Sequence, residues 1–120
     1  MTFNAWTPGN IDRLIHEPAR LIIVTILNAV ESADFLYLQR ETGLTKGNLS
    51  AHLSRLQDGG YIAIEKTYKG KIPLTVCRLT AGGRDAFLRY RKHWQTFVKK
   101  TEKAGPGKRS AVDFRMNICR

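Results

Sequence analysis

A mainly α-helical domain with one small antiparallel β-hairpin is what this 120-residue sequence predicts. Three observations point there. Apolar residues recur at helical spacing up to about Gln57 and again after Thr80. Between Tyr61 and Thr80 the period drops to two, and "KGKIP" in the middle supplies the Gly and Pro of a turn. The hydrophobic fraction, 42%, is enough for the modest core of a single domain.

Each element has its own start and stop signals. Asn10 is placed to cap a short helix, "IDRLIH", with Asp12 in its first turn. Pro18 suits the opening of a second helix, "PARLIIVTILNAV", because its missing N–H would be unpaired there anyway. Leu21, Val24, Ile26, Leu27 and Val30 form the buried stripe of that helix, widened by Ile22 and Ile23. "ESAD" breaks the pattern. A third helix, "FLYLQRET", turns Leu36 and Leu38 or Tyr37 inward and ends at Gly43. Thr45 caps a fourth helix that runs to about Gln57, where Gly59 and Gly60 stop it.

The strands "YIAIEKTYKG" and "KIPLTVCRLT" then make a hairpin with Lys66, Lys69 and Lys71 at its tip. Thr80 caps a long helix, "AGGRDAFLRYRKHWQTFVKK". Its Gly82-Gly83 pair is costly inside a helix and belongs in the first turn or against a packed neighbour. Residues 1–100 are therefore expected to be the folded domain. Residues 101–120, which include "AGPGKRS", are expected to be a basic flexible tail.

The formal net charge of +10 is unevenly distributed. Residues 1–45 carry three Lys or Arg against five Asp or Glu, a net of −2. Residues 46–98 carry ten against three, a net of +7, and residues 99–120 seven against two, a net of +5. A positive excess that begins at Lys46 suits an anionic partner, nucleic acid before an acidic membrane surface.

Other classes find little support. "LIIVTILNAV", the most apolar segment, is ten residues long and broken by Thr25 and Asn28, too short to span a bilayer. "MTFNAWTPGN" has no basic start leading into an apolar run, so a cytoplasmic protein is expected. Cys77 and Cys119 lie 42 positions apart and form no CxxC spacing, so no metal or cofactor is expected. No Ser/His/Asp order, Gly-rich phosphate loop or strand-end carboxylate pair appears, which leaves an enzyme the least supported class.

The stretch "LTKGNLSAHLSRLQDGGYI" is the most informative. With Leu49 at zero on a wheel of about 100° per residue, Leu53 and Leu56 fall within about 40° of it and His52 about 60° away. Gly47, Asn48, Ser50, Ala51, Ser54 and Arg55 take the far side. That side is small, polar and cationic, with no acid before Asp58. A solvated helix face normally mixes Glu with Lys. This one is shaped to approach another surface closely while offering hydrogen-bond groups, as the DNA major groove requires. Gly47 would let first-turn N–H groups near a phosphate; alternatively it only relaxes a tight turn.

Helix, short turn, helix, then a basic hairpin is the order of a winged helix-turn-helix. "EPARLIIVTILNAV", "GLTKGNLSAHLSRLQDGGYI" and "LTAGGR" resemble the winged-helix transcriptional regulators related to the MarR and ArsR families, over about residues 11–98. The resemblance implies a three-helix core with a wing and a long C-terminal dimerisation helix. It also implies a homodimer on double-stranded operator DNA. Thr45, Lys46, Gly47, Asn48, Ser50 and Ala51 are then recognition-helix candidates, and Lys69 and Lys71 wing-tip contacts. The helix over 45–57 has no cysteine, which counts against the metal sensing of some relatives.

Phe87, Tyr90, Trp94 and Phe97 are spaced 3, 4 and 3 apart on the long helix, an aromatic seam suited to a two-fold partner. The alternative is an ordinary core stripe. A crevice among Trp6, the first helix and this seam is a candidate site for a small apolar effector; simple core packing is the other reading. Cys77 is a redox sensor only if its thiolate is stabilised, and is otherwise a small buried hydrophobe. His52 is expected to pack or to touch a phosphate. The expected function is a sequence-specific repressor acting on a palindromic operator. The alternative is a winged-helix docking module for other proteins.

Overall fold

The computed structural model describes residues 11–103. Residues 11–17 form a hydrogen-bonded turn in place of the short helix expected for "IDRLIH". Asp12 organises it: Oδ1 accepts the backbone N–H groups of Leu14 (3.1 Å) and Ile15 (3.2 Å). A carboxylate that satisfies two backbone donors offers the chain a turn in competition with a helix. Asn10, the expected cap, lies outside the described residues.

Helix α1 (Pro18–Ala29) begins at its proline and is capped by Glu17, whose carboxylate accepts the Arg20 N–H at 2.8 Å. Ile23, Val24 and Leu27 are fully buried, and Leu21, Ile26 and Val30 pack around them. Ile22, expected on the buried stripe, is exposed. It lies about 100° or more from each of the three central side chains.

"ESAD" does more than break the pattern. It supplies a strand, β1 (Ala33–Asp34), and Asp34 then caps α2 (Phe35–Thr42) by accepting the Tyr37 N–H at 2.8 Å. Leu38 is the buried residue of α2; Leu36, expected to face inward, is 66% exposed. The helix closes on Gly43 at φ +73°, a left-handed conformation that a glycine adopts without strain. Only Gly43, Leu44 and Thr45 separate α2 from α3 (Lys46–Asp58).

Strands β2 (Ile62–Lys69) and β3 (Ile72–Leu79) pair antiparallel from Ile62–Leu79 out to Lys69–Ile72, leaving Gly70-Lys71 as the loop. Lys69 and Lys71 sit at the tip as expected. Lys66 does not: it pairs with Thr75 inside the ladder. Strand β1 adds to the other edge of β3 through Ala33–Cys77 and Asp34–Val76, so the sheet order is β1-β3-β2.

Thr80 starts α4 (Ala81–Lys103) by accepting the Gly83 N–H at 2.9 Å, and its hydroxyl donates to the Gly60 carbonyl at 2.7 Å. Gly83 is buried against the Tyr61 backbone, where a Cβ would collide with the carbonyl. Gly83 is therefore spent on close approach, whereas Gly82 sits in the first turn, where a Cβ would make only ordinary contact. Helix α4 continues three residues past the expected boundary at 100; the tail from residue 104 lies outside the described residues.

One cluster forms the core, drawing Ile15 from the turn, Ile23, Val24 and Leu27 from α1, Leu38 from α2, and Ile62, Cys77 and Leu79 from the sheet. Leu49, Leu53 and Leu56 seat α3 on it, and Ala86 and Phe87 seat α4. Each buried leucine contributes about 1.5–3 kcal/mol. Packing of its inner face thus holds α3, and its outer face is exposed among the described residues.

Candidate nucleic-acid interface

The capping of α3 is as the sequence predicts: Thr45 Oγ1 accepts the Asn48 backbone N–H at 3.1 Å. No acid lies in the first turn, so the positive end of the helix dipole is not neutralised within its own helix. Thr45, Lys46, Gly47, Asn48, Ser50, Ala51, Ser54 and Arg55 are all exposed. A Cβ on Gly47 would meet nothing within 4 Å, and its φ is not positive. Nothing among the described residues therefore asks for glycine at this position, which disposes of the tight-turn reading.

The exposed face resolves into two rows. Lys46, Ser50, Ser54 and Gln57 line a cleft of about 540 Å³ with Lys66, Pro73 and Thr75 of the hairpin and Asp34, Phe35 and Leu36 beside α2. Gly47, Ala51 and Arg55 form the second row, farther round the helix from the wing. The cleft joins α3 to the wing on one side of the molecule, with a lysine from each element in its wall. Gln57 and Thr75 were not among the sequence candidates. Gln57 was legible as the residue three past Ser54, whereas Thr75 follows only from its pairing with Lys66.

A polar group behind α3 fixes its orientation. Arg20 is buried, and its Nε donates to the Leu14 carbonyl at 2.7 Å. Its Nη1 lies 3.2 Å from His52 Nδ1. A guanidinium can only donate, so His52 accepts through Nδ1 and carries its proton on Nε2. The Glu17 carboxylate is 3.9 Å from the same imidazole nitrogen. The Arg20 N–H hydrogen bond holds the Glu17 carboxyl below the usual carboxylate range; partial burial opposes this, and the Arg20 charge reinforces it. His52 thus packs as a strut between α1 and α3.

Cys77 is fully buried, and burial, with Asp34 nearby, pushes its thiol up to about 11. It is a core residue in thiol form, so the redox-sensor reading fails. Cys119 lies outside the described residues, as does Trp6 with its expected effector crevice. Among the described residues no group of three or more His, Cys, Asp or Glu is arranged to hold a metal. No helix among them is long and apolar enough to cross a membrane.

The aromatic seam divides. Phe87 belongs to the chain's own core at 4% exposure, which removes it from any interface with a partner. Tyr90 is half-buried and its hydroxyl meets His16 Nδ1 at 2.8 Å. Trp94 is 50% exposed and stacks on Phe97 with ring centroids 5.9 Å apart. Among the described residues, the core and its surrounding shell take nothing from α4 beyond Tyr90.

Known proteins are similar to this chain in sequence and in fold. Over 79 residues the chain is 33% identical to an uncharacterized protein of Methanocaldococcus jannaschii, a match spanning 65% of this chain and 85% of that one. A transcriptional regulator homologue from Pyrococcus horikoshii OT3 superposes with a TM-score of 0.72 at 25% identity, covering 76% of this chain and 90% of the other. A MarR-family regulator from Silicibacter pomeroyi shares the fold at a TM-score of 0.57 and 22% identity, over 91% of this chain and 73% of that one. A family model described as a winged helix DNA-binding domain matches residues 19–98. With a cationic helix face and a basic hairpin joined by one cleft, the chain belongs to the winged-helix DNA-binding domain family.

Proposed function

We propose that two copies of this chain bind a palindromic operator in double-stranded DNA and repress transcription by occupying a promoter. Each copy lays α3 in a major groove and its wing, residues 65–73, on the flanking backbone or minor groove. The outer face of α3 carries the proposal. It is exposed, acid-free from Lys46 to Gln57, and slimmed by a glycine that the fold does not need.

Lys46, Asn48 and Ser50 are the base-reading candidates, while Thr45, Ser54 and Arg55 are the candidates for phosphate contacts. Gly47 and Ala51 keep the ridge low enough for the backbone to approach. Lys66, Lys69 and Lys71 supply a salt-dependent phosphate term. Tyr90, Trp94 and Phe97 on the outer part of α4 supply the contact between copies, which sets half-sites about one helical turn apart.

Selection of bound duplexes from a random pool tests this reading. Two symmetric half-sites at fixed spacing, with affinity falling steeply as salt rises, are the expected outcome. Binding that ignores sequence, or that does not fall with salt, would instead favour a docking module for other proteins.

A further inference from the structure

Two large hydrophobic side chains stand in solvent at the far end of the wing: Tyr68 is 69% exposed and Ile72 65%. The ladder puts them on opposite flanks. Tyr68 pairs with Pro73 on the flank that carries Lys66, and Ile72 pairs with Lys69 on the other. Neither belongs to the core among the described residues. The outermost pair that reaches the core, Ile64–Cys77, is five ladder steps back from Lys69–Ile72. At about 3.3 Å per residue the wing therefore reaches roughly 16 Å past it. Exposed hydrophobic groups on a protruding hairpin invite self-association and are commonly replaced by polar ones. Their retention here calls for a partner.

The surrounding charge selects that partner. No acidic residue occurs from Lys66 to Arg84, and the nearest one, Glu65, is held by Arg78 at 3.3 Å. Lys69 and Lys71 flank the apolar pair, and the inner flank continues into the cleft shared with α3. Cationic ends beside apolar flanks fit a groove walled by phosphates and sugars.

We propose that the wing tip is an apolar wedge, with Tyr68 and Ile72 entering the minor groove next to the major groove held by α3 and bending the duplex there. This rests on the DNA-binding reading above. The B-form minor groove is about 6 Å wide. Two strands about 4.8 Å apart, with side chains on both flanks, need more room than that. The groove must open, and the cost of opening depends on the base step. Pyrimidine–purine steps such as TA and CA deform most easily. The wedge thus makes the protein prefer such steps beneath the wing, at positions that no hydrogen bond reads. Lysines at the tip agree with this, since arginine is the residue suited to a narrow, unopened groove.

The test uses an operator selected by the full chain, labelled at both ends for energy transfer. Wild-type protein is expected to bend it by about 20–90°. The double variant Tyr68→Thr/Ile72→Thr, which keeps strand-favouring residues, is expected to select the same half-sites, leave the duplex straight and lose the step preference. A straight duplex under the wild-type protein, or an equal bend under the variant, overturns the wedge but spares the DNA-binding reading. A wild-type chain that binds no duplex overturns both. If the variant does not fold, the DNA can be changed instead: replacing the TA or CA step beneath the wing by GG is expected to weaken wild-type binding about tenfold. Unchanged affinity would defeat the wedge.

Discussion

A Cβ at Gly47 meets nothing within 4 Å, whereas one at Gly83 runs into the Tyr61 carbonyl. The two glycines therefore answer to different demands, and substitution separates them. Gly47→Ala is expected to leave the thermal midpoint unchanged or raise stability by up to about 1 kcal/mol, because alanine is the better helix former. The same change is expected to weaken operator binding in a titration; an unaltered affinity would mean the glycine does not serve access. Gly83→Ala is expected to cost about 1–3 kcal/mol in chemical denaturation, since the obstructing atoms are backbone and cannot swing aside. Asn48 and Lys71 offer a second contrast. Asn48→Ala should lose about 1–3 kcal/mol of discrimination between operator and random DNA. Lys71→Ala should weaken both alike and lower the salt slope by about one. Equal behaviour of the two variants would show that reading and anchoring were wrongly assigned.

At the scale of elements, α3 is held from behind by three leucines and by the Arg20–His52–Glu17 group. That group makes its seating sensitive to acid. The folded-state pKa of Glu17 lies below its ordinary value of 4.5. The ionised carboxylate therefore contributes stability in full above that value, and the contribution is lost as pH falls through the lowered pKa. Denaturation midpoints measured from pH 6 downward should fall more steeply for the wild type than for Glu17→Gln, with the gap between the curves closing only below about pH 4.5. Parallel curves would remove Glu17 from this role. Much at this scale was legible in the sequence. The start of α1 at Pro18, the span of α2 and the Thr45 cap all rest on contacts within four residues, which local pattern records. Strand β1 was not legible, because two residues carry no period and its partner lies more than forty positions away. Nor was the strut at His52, since Arg20 reads as one more surface charge until the turn at Asp12 folds over it.

For the whole molecule, the proposed dimer makes a prediction of its own. Sedimentation should find two copies together at micromolar concentration, and Trp94→Glu/Phe97→Glu should shift the balance to single chains while the fold, seen by circular dichroism, is kept. Operator binding by that variant should lose its dependence on the second half-site. A wild-type chain that sediments as a monomer both with and without DNA would end the two-fold reading. Phe87 belongs outside this test. The spacing of 3, 4 and 3 joined it to the seam, yet Phe87, with Ala86, lies in the chain's own core.

By itself the sequence determined α1 to α4 with the Thr45 and Thr80 caps, the hairpin and its turn, the buried leucines of α3 and the placement of positive charge after Lys46. These depend on neighbours along the chain, through hydrogen bonds and periodicities a few residues long. Only the tertiary structure decided that Ile22 and Leu36 face outward, that Lys66 lines a cleft with Lys46, and that Tyr68 and Ile72 stand alone at the end of the wing. Those outcomes depend on how α3 and the hairpin are angled about Tyr61, whose backbone N–H donates to the Leu56 carbonyl and whose own carbonyl accepts from Thr80. Tyr61 Oη donates to Asp12 at 2.7 Å as well. Contacts that span 19 and 49 positions leave no period in the sequence, which is why the shape of the DNA-facing side had to be seen.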